Sequence, residues 1–410
     1  MRTRYSNIGK LYGTYNGPPA LRKGEDLSFL PHIEEAFLLE EDGIIVEIGR
    51  MADLQGTVDR EIDCEGNLVL PAWCDSHTHV VFAESRYQEF RMRLQGKSYE
   101  EIAEAGGGIL NSAAKLGVAS EDDLYLSAAE RVKELIYNGV GALEIKSGYG
   151  LTPKSEYKML RVIQRLKSNF PIDIKATFLG AHAIPKAFIN NRTGYIDQII
   201  NEMIPHVSKE GLADYCDVFC DKGFFTIEES RRILEAAYKY GMKAKIHANE
   251  LAVSGGVQLA CDMNAISCDH LESVTPVEIE YLKQHNTIPT LLPGTSFFLG
   301  IPYAPAREMI DSGLGICLAS DYNPGSTPSG NIPFLLSLAC IRMKLIPEEA
   351  IQAVTINGAC ALELEDTVGA LQVGFKSNFI VLDGLRDLSE IMYFYGKSPI
   401  KQVVIGTNVF

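Results

Sequence analysis

From about residue 120 onward the chain alternates between stretches whose apolar positions recur three and four apart and short, nearly continuous apolar runs. The first pattern belongs to helices with one buried face, the second to strands buried on both faces. Ser120, followed by Glu121-Asp122-Asp123, opens the helical stretch DLYLSAAERVKELIYN, which Gly139 closes before the strand-like VGALEIKSG. The plan then repeats. SEYKMLRVIQRLKS precedes IDIKATFLG, and YIDQIINEMIPHVSKEG precedes ADYCDVF. Thr226 and Glu229 have capping-box spacing ahead of SRRILEAAYKYG, which leads into MKAKIHA. NAISCDHL, NTIPTLLPG and GLGICLASD follow, and LVLPAWCDSHTH comes before them all. These runs give about eight strands, the number that closes a (β/α)8 TIM-like barrel; an open doubly wound sheet is disfavoured.

The two ends read differently. AFLLEEDGIIVEIG carries an Asp42-Gly43 turn between alternating strands, and FIVLDG and QVVIGTNVF near the C-terminus are also strand-like. The expected organisation is a small β-sandwich domain formed by residues 1–70 and 367–410 around an α/β barrel of residues 71–366.

Composition narrows the partners. Of 410 residues, 38 are Lys or Arg and 53 are Asp or Glu, giving a net charge of −15. Such a surface repels nucleic acid and anionic membranes, so an anionic ligand must be caught by local cations. The N-terminal MRTRYSNIGKLYG has no apolar segment behind its charges, and no run of about 18 apolar residues follows. A cytoplasmic protein, neither secreted nor membrane-spanning, is expected. Nine scattered cysteines, without zinc-ribbon or disulfide spacing, suit a reducing compartment; Cys216 and Cys220 are assigned no function.

The chemistry concentrates at strand ends. His77 and His79 in CDSHTH stand two apart, so on a strand both imidazoles leave from one face and supply two metal ligands. His182, His247 and His270 also fall at or just beyond the C-terminal ends of expected strands, where barrel active sites are built. His32, His206 and His285 lie in loops or helices and are taken as bystanders. Asp321 ends the apolar run GLGICLASD, where a carboxylate is costly unless paired or metal-bound, and is the natural carboxylate ligand. Glu250 follows His247 by three residues and falls close to the same centre.

The stretches DSHTHVVFAESR (75–86), LQGKSYEEIAEAGGGI (94–109), EIKSGYGL (144–151), FLGAHA (178–183), KIHANE (245–250), CDHL (268–271), LLPGTSFFLG (291–300) and ASDYNPGS (319–326) together resemble the imidazolonepropionases of the amidohydrolase superfamily, over nearly the whole length. The resemblance implies one divalent ion, zinc or iron, on His77, His79, His247 and Asp321. It implies that Arg86, Tyr99, Tyr149 and His182 hold the propionate of a small anionic imidazolone, while Glu250, His270 and Asn323 address the ring and the water. Glu250, His270 and Asp321 are then the catalytic groups of a ring hydrolysis in histidine breakdown. Two positions depart from the family pattern: Asn249 stands where an acid is more usual, and SNFIV replaces the usual ADLV.

Competing readings are a cyclic amidohydrolase or heterocycle deaminase using the same centre, and a non-catalytic barrel scaffold. Arg86 and the tyrosines speak against the first, and a complete ligand set against the second. Lys146 and Lys175 lie on strands where a second metal's carbamylated lysine is sought, but a salt-bridged or solvated role and a single metal are expected. Gly106, Gly107 and Gly108 lack the Lys-Ser or Lys-Thr of a phosphate loop and read as a loop near the substrate. A homodimer is the base-rate expectation for such a barrel.

Overall fold

The computed structural model describes residues 1–97, 101 and 107–410. Its N-terminal strands are β1 (Arg2–Tyr12), β2 (His32–Glu41), β3 (Ile44–Arg50), β4 (Arg60–Asp63) and β5 (Leu68–Pro71). Then come β6 (Trp73–Asp75), β7 (Val140–Lys146), β8 (Asp173–Ala181), β9 (Tyr215–Cys220), β10 (Lys243–Ala248), β11 (Ser267–His270), β12 (Ile288–Leu291) and β13 (Cys317–Leu318). The last are β14 (Asn378–Leu382), β15 (Ile400–Ile405) and β16 (Asn408–Val409).

Strands β6 to β13 pair in sequence order, all in parallel, as the helix-strand alternation requires. Helices between them cover the outside. Ser120 caps the helix Glu121–Tyr137 through Asp123 N–H, and the capping box of Thr226 and Glu229 starts Ile227–Lys239. Pro205 lacks an amide hydrogen and crowds the carbonyl of residue 201; the helix accommodates it with a widened turn over Ile199–Met203.

The barrel closes through a short seam. Thr78 bridges Tyr322, His79 N–H donates to Tyr322 O at 2.9 Å, and Asp321 N–H donates to His77 O at 2.9 Å. Buried Asp75 accepts from Ser320 N–H at 2.9 Å and Ser320 Oγ at 2.6 Å. Because the seam pairs the residues after β6 with those after β13, it sets Asp321 beside His77 and His79.

Strands of both chain ends form one mixed sheet in the order β16-β15-β14-β5-β1-β2-β3, with β4 beside β1. Ile44 also bridges Lys376, just ahead of β14, so the sheet curls back on itself around Tyr5, Leu38, Ile45 and Phe379. The run LVLPAWCDSHTH is two strands and not one. β5 ends in the terminal sheet, and beyond Ala72 the chain enters the barrel as β6, with Trp73 N–H donating to Gly139 O.

Candidate active site

His77 and His79 leave the end of β6 on one face, as their spacing requires, and His247 points from β10 into the same space. Ligand-capable atoms of the three rings lie within 4.8 Å of one another, and all three side chains are buried. Asp321 Oδ1 lies 3.6 Å from both His77 Nε2 and His79 Nε2. Its Oδ2 accepts from Thr295 Oγ1 at 2.6 Å. His77 Nε2 is buried and has no hydrogen-bond partner among the described residues. Burial drives the pKa of both His77 and His79 well below the ordinary range, so both rings are neutral, the state that ligates. The three imidazoles and the Asp321 carboxylate fit one divalent ion of the zinc or iron type.

The histidines are themselves oriented by acids. His77 Nδ1 lies 2.6 Å from Asp269 Oδ2, and His247 Nδ1 lies 3.0 Å from Asp217 Oδ2. A carboxylate accepts, so His77 Nδ1 carries the proton and its Nε2 presents a lone pair, whereas His247 Nδ1 and Asp217 Oδ2 are in close contact without hydrogen-bond alignment.

Beside this centre opens a cavity of about 360 Å³ lined by Arg86, Glu89, Tyr149, His182, Glu250, His270 and Asn323, with apolar walls that include Phe219 and Leu299. Arg86 is held by Glu89, whose Oε2 accepts from Nε at 2.8 Å and Nη2 at 2.6 Å. Glu89 Oε1 accepts from Gly108 N–H at 3.0 Å, tying down the end of the glycine run. Burial raises the Tyr149 phenol, which therefore stays a hydroxyl donor. His182 is pushed down to about 3 by burial, and its Nδ1 donates to Gly148 O at 3.0 Å. Gly148 is needed here: its φ is +111°, and a Cβ would lie 2.9 Å from His182 Nδ1. Asn323 spends its amide on the loop, donating to Asp321 O and Ser326 Oγ and accepting from Gly325 and Ser326 N–H. Tyr99 and Gly106 lie outside the described residues.

His270 sits between two carboxylates, with Nε2 3.8 Å from Glu250 Oε2 and Nδ1 3.6 Å from Glu272 Oε2. Burial opposes its charge, but Glu250 and Glu272 lift its pKa to about 10. Glu250 is raised to about 7 by burial, which outweighs the pull of His270. Asn249, His270, Leu271 and Asp321, just past or at the ends of β10, β11 and β13, all have positive φ. Non-glycine residues rarely adopt it, and its concentration at one rim marks a functional turn.

The amidohydrolase family model matches residues 68–409. The imidazolonepropionase of Flavobacterium johnsoniae is 49% identical over 410 residues, covering 100% of both chains. That of Christiangramia forsetii is 49% identical over 384 residues, covering 93% of each. The chain belongs to the amidohydrolase family and, within it, to the imidazolonepropionases. Solved structures share the fold at lower identity. Guanine deaminase from C. acetobutylicum has a TM-score of 0.74 at 16% identity, with 100% of both chains covered. The 5-methylcytosine deaminase of Klebsiella pneumoniae has a TM-score of 0.73 at 17% identity, covering 98% of this chain and 97% of that one.

Asn249, where the sequence resemblance leads one to expect an acid, has local partners. Its Nδ2 donates to buried Glu278 Oε1 at 2.9 Å, and its Oδ1 accepts from Ser254 N–H at 3.1 Å. Its φ is +54°, a conformation that Asn tolerates better than most residues. Asp217, Asp269, Glu89 and Glu272 were not singled out from the sequence. A signal existed for the first: Asp217 is a lone acid inside the otherwise apolar strand YCDVFC, fully buried in the barrel. Lys146 is fully buried and salt-bridged, whereas Lys175 is half-buried beside the Tyr215 ring. His206 stacks on Tyr157 and His285 Nδ1 bonds Tyr281 O, both away from the cavity. All nine cysteines are free thiols.

Proposed function

We propose that this protein hydrolyses the ring lactam C–N bond of 4-imidazolone-5-propanoate to N-formimino-L-glutamate in histidine breakdown. The reading rests on one juxtaposition: a buried three-histidine and aspartate centre opens into a cavity that also holds the cation Arg86. Full-length similarity to imidazolonepropionases supports the same substrate.

His77, His79, His247 and Asp321 hold one divalent ion, zinc or iron. Such an ion supplies Lewis acidity, polarising a carbonyl oxygen and lowering the pKa of water towards about 7. Arg86 and the Tyr149 hydroxyl bind the propionate, with Tyr99 and neutral His182 completing that end, so binding of the arm orients the ring. The water oxygen bonds to the ring carbonyl carbon as its proton passes to Glu250 or Asp321. Protonated His270 donates to the developing oxyanion. Whichever of the two carboxylates took the proton, Glu250 with its pKa near neutral or Asp321, returns it to the leaving ring nitrogen as the C–N bond breaks. Asn323 contributes by shaping the loop that carries Asp321.

A deaminase of a neutral base would use the same centre, and the fold neighbours include two. A neutral base has no carboxylate for Arg86. The deciding experiment follows 4-imidazolone-5-propanoate by absorbance, with and without a chelator. Chelator-sensitive loss with formiminoglutamate appearing is expected; no turnover by metal-loaded protein, with activity on cytosine or guanine, overturns the assignment.

Among the described residues no helix is long and apolar enough to cross a membrane. Nine free thiols favour the cytoplasm. A homodimer is proposed from the fold's habits alone, and sedimentation at micromolar concentration tests it.

A further inference from the structure

The barrel interior beneath the three histidines is charged where apolar layers are usual. Glu144 and Lys146 on β7, Asp217 on β9, Lys245 on β10 and Asp269 on β11 are all completely buried. Lys146 Nζ lies 2.8 Å from Glu144 Oε1, 2.8 Å from Asp217 Oδ2 and 3.6 Å from Asp269 Oδ2. Lys245 Nζ lies 2.9 Å from Glu144 Oε2 and donates to Ser76 O at 3.0 Å.

The two aspartate oxygens nearest Lys146 are the same atoms that face the imidazoles. Asp217 Oδ2 is 3.0 Å from His247 Nδ1, and Asp269 Oδ2 is 2.6 Å from His77 Nδ1. One ammonium therefore stands behind both carboxylate–imidazole pairs, on strands β9 and β11 that flank the His247 strand.

We infer that Lys146 is a positioning residue: through Asp269 and Asp217 it holds His77 and His247 with the proton on Nδ1 and Nε2 turned toward a divalent cation. Without an ammonium between them, the two buried carboxylates repel each other and neither is fixed against its ring. Burial opposes the lysine's charge, but Asp217, Glu144 and Asp269 raise its pKa above the usual range, so it stays an ammonium.

This inference rests on the metal centre and not on the identity of the substrate. Its test uses the full-length, zinc-loaded protein. For Lys146→Met, competition with a chromophoric chelator should show zinc held about 10- to 100-fold more weakly, the size seen when groups orienting metal-bound histidines are lost. Circular dichroism and melting report whether the variant is folded. Unchanged zinc affinity in folded Lys146→Met, even with a lowered Tm, would mean that the lysine merely fills the barrel, and overturns the proposal. A second measurement needs no variant. In zinc-loaded wild type, ¹⁵N-histidine spectra should show the metal on Nε2 and the proton on Nδ1 for both His77 and His247. Zinc on Nδ1 of either ring overturns the proposal whether or not the variant folds. Failure to turn over an imidazolone leaves both readouts intact, so the two readings fail separately.

Discussion

Nε and Nη2 of Arg86 donate to a single oxygen of Glu89, at 2.8 and 2.6 Å, inside the cavity that opens onto the three histidines. The arginine is therefore held still before any substrate arrives, and part of its fork remains to meet a carboxylate. Losing a charge-assisted bond of about 1.5–3 kcal/mol should cost Arg86→Ala about 10- to 100-fold in kcat/KM, mostly through KM. Glu89→Gln keeps the shape but frees the guanidinium, and its KM should rise by less. Steady-state kinetics on 4-imidazolone-5-propanoate checks both; an unchanged KM for Arg86→Ala removes the residue from substrate binding.

Metal removal should act on stability as well as turnover. A cation that binds only the folded chain adds about 2.7 kcal/mol when its free concentration is 100 times Kd. Dialysis against a chelator should abolish hydrolysis and lower Tm, and returning zinc or iron should restore both. His77→Ala should lose the metal-dependent rise in Tm. Calorimetry with and without zinc reads this directly, and equal Tm values would remove the metal from the fold's stability.

At Asn249 the donor is what matters. Asn249→Asp replaces the Nδ2–H that reaches Glu278 with a carboxylate facing a carboxylate in a buried site. The expected loss is about 1–3 kcal/mol. Adding Glu278→Gln supplies a donor from the other side and should recover most of it. Denaturant melts of the single and double variants check the pairing, and additive losses would show that the two residues do not interact.

The capping box at Thr226 gives a pH test far from the site. Glu229 accepts from Thr226 N–H at 3.0 Å and pairs with Arg192 at 2.7 Å. Burial works against its charge, but Arg192 and Thr226 hold its pKa below the usual carboxylate range. A carboxylate depressed in the folded state adds stability that is present above its unfolded pKa and is lost as pH falls through the folded one. Glu229→Gln keeps the acceptor and removes the charge. Its Tm should lie below wild type at pH 7, and the gap should shrink as pH falls below about 4. A gap independent of pH would place the effect in packing.

Seven of the eight barrel strands, β7 to β13, were legible because helical and strand periodicities alternate so regularly from Ser120 to Asp321. His77 and His79 were legible because a two-residue spacing fixes a common face on any strand. Glu250 and His270 came from strand-end positions and from the resemblance of their motifs, Arg86 from the resemblance alone. LVLPAWCDSHTH misled by its continuity: one apolar run serves two sheets, and nothing in its pattern marks Ala72 as the crossing.

The sequence by itself determined which side chains face inward and at which end of the barrel they gather, because those follow from local periodicity and strand direction. Only the tertiary structure decided who meets whom. Asp269 reaches His77 across 192 residues of chain, and Glu144 reaches Lys245 across 101. Such partners depend on strand order, inter-strand register and the seam between Thr78 and Tyr322, which no local pattern encodes. For the same reason Lys146 reads in the sequence as a strand lysine like Lys175. Burial between two aspartates, which only the closed barrel creates, is what separates them.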